Sequence, residues 1–73
     1  MLDAPWKRPV RAAGRAIRTP LEAIHFMDHG WPQKKSLLFA QAHETCLAAL
    51  DGRDSADHAR LLFAEAVDEA QLH

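Results

Sequence analysis

Between residues 55 and 71 the apolar positions keep the spacing of a single helix face. Ala59, Leu62, Phe63, Ala66, Val67 and Ala70 follow a 3.6-residue period without a miss. Ser55 supplies an N-cap oxygen, and Asp57 places an acid where the helix dipole favours one. The last turn carries Asp68 and Glu69 at the wrong end of that dipole, offset only by His73, and is expected to fray. A second helix is predicted over about 35–51, with Phe39, Ala42, Cys46, Ala49 and Leu50 on one stripe that Leu38 and Leu47 widen. Lys34 and Lys35 suit a helix N-terminus badly, so its start falls between Gln33 and Ser36, and Gly52 stops it. The first helix, about 20–29, opens on Thr19-Pro20 as N-cap and first helical residue; Leu21, Ile24 and Met27 are its apolar positions. Gly30 is read as its left-handed cap, and Trp31-Pro32 prevents further helix.

Period-two patterning occurs only before Thr19. Arg8–Ala12 and Arg15–Arg18 read as two short strands around a turn that Gly14 closes with positive φ. Pro9 lacks an N–H and belongs at an edge or a strand start. A two-stranded ribbon is marginal in water, so this one must lean on the helices or on a second copy. The fold class is therefore α+β and mostly helical: an N-terminal two-stranded ribbon followed by three helices, in one domain spanning 1–73. Ala on facing positions of the second and third helices, across a loop of about three residues, describes an antiparallel helical hairpin.

Composition changes that picture in one respect. Apolar residues make up 48% of the 73, yet 14 are Ala and only 16 are Leu, Ile, Val or Phe. So thin a core implies a partner or a staple, because domains below about 70–80 residues seldom draw more than roughly 3–5 kcal/mol from one core. The single Cys46 cannot form an intramolecular disulfide, which fits the cytoplasm. No apolar run approaches the ~18 residues of a membrane span, and the opening residues do not read as an export signal.

The net charge of −1 conceals a polarity. Residues 1–19 carry Lys7, Arg8, Arg11, Arg15 and Arg18 against Asp3, while residues 51–73 carry six acids against Arg53 and Arg60. Opposite ends of this kind orient a partner or an antiparallel dimer more than they stabilise a fold, since screening is strong beyond about 8 Å. Arg11, Arg15 and Arg18 could also meet phosphates, with Trp6 stacking on a base, but a domain-wide basic footprint is absent. Trp31 and Trp6 read either as core plugs or as interface anchors.

Candidate chemistry is sparse. His25 and His29 share a helix face, as do His43 and Cys46, and four such donors could close a tetrahedral metal site. Competing structural explanations are strong: Cys46 lies on an apolar stripe, and His29 sits near helical C-terminal carbonyls. No phosphate-binding glycine loop exists, and Glu65, Asp68 and Glu69 read as a solvated face, so neither an enzyme nor a cofactor is expected.

Pro9-Val10, Glu22-Ala23, Trp31-Pro32, Ala42, Cys46, Ala48-Ala49-Leu50, Gly52, Ala59-Arg60, Phe63, Ala66 and Glu69-Ala70 come in an order that resembles a known family. It is that of the small bacterial proteins catalogued as domain of unknown function 982. The likeness runs from about Trp6 to Leu72, with Gln71 standing where the family pattern has Gly. It implies a cytoplasmic bacterial protein, an α+β fold with an N-terminal ribbon, and no assigned activity. Trp31, Pro32, Cys46, Gly52, Arg60 and Phe63 match the pattern. Of these, Arg60 has no evident structural duty, with Asp57 as an expected ion-pair partner. The functional expectation is a non-enzymatic protein–protein interaction module, homodimeric, using Trp6, Arg11, Arg15, Arg18, Trp31 and Arg60. The alternative is a nucleic-acid-binding accessory protein using the basic ribbon.

Overall fold

The structure, a computed structural model, describes residues 1–32 and 34–72. A ribbon of β1 (Val10–Ala12) and β2 (Arg15–Ile17) precedes α1 (Pro20–His29), α2 (Leu37–Leu50) and α3 (Ala56–Ala70). The expected class and element order hold. The strands pair antiparallel, Val10 with Ile17, Arg11 with Ala16 and Ala12 with Arg15. A two-residue Ala13-Gly14 turn joins them, both residues at positive φ (52° and 78°), the geometry that matches strand twist. The strands are shorter than expected because Pro9 cannot donate to the ladder and stays outside it.

Each helix begins on a side-chain cap. Thr19, Ser36 and Ser55 hydroxyls accept from the N–H groups of Glu22, Phe39 and His58. Ser36 thus places the start of α2 after the two lysines; Gln33, the earlier limit of the expected range, lies outside the described residues. Two expectations about helix ends are corrected. Gly30 has φ −127°, not a left-handed value, and its glycine answers crowding: a Cβ there would lie 3.1 Å from the Phe26 ring. At the end of α3, Gln71 adopts the left-handed conformation (φ 57°) and Leu72 N–H returns to the Val67 carbonyl. The final turn is therefore capped despite the acids. His73, the expected offset, lies outside the described residues.

The core joins all five elements. Val10, Ala12 and Ile17 turn one ribbon face onto the helices, and Phe63, Met27, Val67 and Cys46 are fully buried. Ala42, Ala49, Ala59 and Ala66 are buried, which lets α2 and α3 pack closely as an antiparallel pair. Leu47 does not widen the stripe of α2: it is 36% exposed, on the outer side of the helix. Phe26, absent from the expected apolar face of α1, is buried against Phe63 and Trp31.

The N-terminal segment is strapped down. Leu2 N–H donates to the Leu50 carbonyl (2.7 Å), Asp3 Oδ1 accepts from Leu21 N–H (2.9 Å), and Trp6 N–H donates to the Arg18 carbonyl (2.8 Å). These bonds seat Trp6 over Phe63, ring centroids 5.8 Å apart.

Candidate functional site

The ribbon residues divide by strand geometry. Alternation sends Val10 and Ala12 inward and Arg11 outward, while Arg15 sits at the ribbon tip. Lys7, Arg8, Arg11, Arg15 and Arg18 are all exposed, and among the described residues none forms a salt bridge. The contacts between opposite groups that are present lie elsewhere: Arg53 pairs with Asp51, and the His43 and His58 rings lie within hydrogen-bond distance of Asp28 and Asp54. The hydrogen bond from His58, then that from Ser55 N–H, holds the Asp54 carboxyl below its ordinary value. The other surface of opposite sign is α3, where Asp57, Glu65, Asp68 and Glu69 are exposed.

Two expected partner-facing residues have contacts within the chain, Trp6 buried and Arg60 half-buried. Trp6 is 6% exposed, so no ring face is left for a base or a partner. Arg60 Nε donates to the Arg8 carbonyl (2.8 Å), which ties α3 to the segment before β1. Its Nε thus ties two segments of the fold together, and the expected Asp57–Arg60 pair does not form.

The four candidate metal ligands do not converge. His25 and His29 are exposed with rings edge to face at 6.3 Å, and His43 Nε2 is 2.9 Å from Asp28 Oδ1, bridging α2 to α1. Cys46 is buried among apolar side chains, which pushes its thiol up to about 12. Among the described residues no group of three or more His, Cys, Asp or Glu is placed to hold a metal ion. A thiol so protonated is no nucleophile at neutral pH.

Trp31 is different. It is half-buried, its ring meeting Phe39 at 5.1 Å, Phe26 at 5.8 Å and Phe63 at 6.3 Å. The rest of the ring borders a cleft of about 430 Å³ whose other walls are Pro32, Lys34, Ser36, Glu69 and Ala70. Ser36 Oγ donates to Glu69 Oε1 and fixes one side of the carboxylate across the α1–α2 loop. Sequence reasoning found Trp31 but missed Ser36 and Glu69 as neighbours, since 33 residues separate them. The only local signal was the capping position of Ser36.

A small, mostly helical α+β domain with an N-terminal ribbon, an exposed basic strand face and one aromatic-floored cleft is the class of protein these features define. The chain belongs to the family described as Protein of unknown function (DUF982), whose model matches residues 9–73. No curated protein and no solved structure matches the chain. The strap that carries Trp6 precedes the matched region, although Trp6 packs on Phe63 within it. No helix among the described residues is long and apolar enough to cross a membrane.

Proposed function

We propose that this protein is a non-enzymatic protein–protein interaction module that associates with itself, the basic ribbon forming part of the contact. The observation that carries this reading is the five exposed cations of residues 7–18, none in a salt bridge among the described residues, on a chain whose α3 exposes acids. Exposed cations without a salt bridge in the monomer are available to a partner, and complementary surfaces steer association and set its register. A second copy supplies the opposite sign without requiring any other molecule.

Nucleic acid is the weaker reading. Its stacking residue, Trp6, is buried, so only the phosphate-directed charge is left to support it. The buried, protonated Cys46 thiol supports a non-catalytic role and, as a free cysteine, suits a reducing bacterial cytoplasm.

Light scattering on the full chain tests this directly. A mass above the 8.2 kDa of one chain is expected at low salt. It should fall as salt rises from about 0.1 to 1 M, which shortens the screening length from about 10 to 3 Å. An 8.2 kDa particle at every concentration and salt would overturn the reading.

A further inference from the structure

The tip of the ribbon and the Trp31 cleft lie side by side at one end of the molecule. Ala13 N–H donates to the Leu72 carbonyl, which places the Ala13-Gly14 turn against the end of α3, two residues beyond Ala70 of the cleft wall. On the other strand, the Arg15 guanidinium lies 5.9 Å above the Phe26 ring, and that ring is 5.8 Å from Trp31. A cation thus lies one ring away from a cleft that holds an aromatic ring and the Glu69 carboxylate. They do not satisfy each other within one chain, as Arg15 and Glu69 form no salt bridge.

Adjacent opposite charges are one way to make a patch self-complementary, as an isologous interface requires. A two-fold axis between them sets each positive lobe against the other copy's negative one, so a single patch complements itself. We propose that two copies of this chain associate about such an axis, each Arg15 guanidinium entering the partner's cleft between the Trp31 ring and the Glu69 carboxylate. This rests on the self-association reading and names its contact.

The chemistry of the cleft suits a guanidinium. Ser36 occupies Glu69 Oε1, which leaves the second oxygen as an acceptor for a charged donor, and the half-buried Trp31 ring borders the same cleft, where a delocalised cation gains from an aromatic neighbour. Lys34 at the rim opposes entry, so it weakens the dimer while its flexible stem lets the ammonium swing aside.

Sedimentation equilibrium on the full chain and on Arg15→Gln, Glu69→Gln and Lys34→Gln tests the contact. Gln at 69 still accepts from Ser36, which preserves the fold, and circular dichroism verifies this for every variant. Because each substitution is felt at two symmetry-related contacts, Arg15→Gln and Glu69→Gln should each weaken the dimer at least about tenfold, or 1.4 kcal/mol. Lys34→Gln should tighten it, and the exchange Arg15→Glu with Glu69→Arg should restore it relative to either single reversal. A dimer whose affinity is unchanged in Glu69→Gln would overturn this contact and leave self-association standing. A wild-type chain that stays at 8.2 kDa would overturn both.

Discussion

Replacing Phe63 with alanine removes a fully buried ring on which three others converge. Phe63 has no exposed surface, and its ring lies 5.8 Å from Trp6, 6.3 Å from Phe26 and 6.3 Å from Trp31. Those three rings come from the strap, α1 and the α1–α2 loop, so they cannot close the gap by one local adjustment. Phe→Ala in a core that cannot collapse costs roughly 3–5 kcal/mol, and each lost aromatic contact accounts for about 0.5–1.5 kcal/mol of specific interaction. A chain of 73 residues has a total stability of about 4–11 kcal/mol. The substitution therefore consumes from about a quarter of the stability to all of it. Urea unfolding followed by fluorescence of the two tryptophans measures this, with m near 1 kcal/mol/M for so small a domain. The midpoint should drop by about 3 M or more, or the variant should be unfolded at the outset. Phe63→Leu, which keeps much of the volume, should lose only about 1–1.5 kcal/mol. A Phe63→Ala loss below about 1.5 kcal/mol with unchanged m would refute the claim that this ring holds the strap, α1 and the loop together.

Three further outcomes follow from named contacts. Burial pushes the Cys46 thiol up to about 12 from an ordinary 9.0, so the unfolded chain ionises first as pH rises. That stability is full below pH 9 and is lost between about 9 and 12, at about 1.4 kcal/mol per pH unit. Unfolding at about pH 8 and pH 10.5 should show a drop in the native protein some 2 kcal/mol larger than in Cys46→Ala. Arg60→Ala should cost about 1–2 kcal/mol and speed amide exchange at Trp6, because the bond from Nε to the Arg8 carbonyl anchors the strap. An equal loss of dimer affinity without that faster exchange would instead make Arg60 a partner contact. Gly30→Ala should lack the roughly 0.4–1 kcal/mol gain usual for Gly→Ala at a compatible φ, because its Cβ would press on the Phe26 ring at 3.1 Å; thermal melting checks this, and a full gain would show that the ring yields freely.

Elements whose information is local were legible from the chain. The three helices announce themselves through Thr19-Pro20, Ser36 and Ser55 at their starts and through apolar periodicity along them, and the ribbon through Gly14 between two short runs. The reading failed where a residue's duty is set by something distant. Gly30 looks like a left-handed cap because that is the commonest reason for glycine there, whereas its φ is −127° and what lies beside it is the Phe26 ring. Trp6 reads as either a core plug or an interface anchor, and the choice is made by the strap's hydrogen bonds to Leu50, Leu21 and Arg18, which carry it onto Phe63. Arg60 looks unemployed because its acceptor, the Arg8 carbonyl, is 52 residues away. Of the candidate site, Arg11, Arg15, Arg18 and Trp31 could be named beforehand, whereas the cleft that joins Trp31 to Ser36 and Glu69 could not.

By itself the sequence determined the order and type of elements, the separation of basic and acidic ends, and the scarcity of large apolar side chains, because each depends on neighbours within a few residues. Tertiary structure alone decided which tryptophan is spent on the core and which borders a cleft, whether the His and Cys pairs meet, and which cation lies beside which carboxylate. Those are distances between segments far apart in the chain, and only the packing of α3 against the strap, the ribbon and the α1–α2 loop sets them.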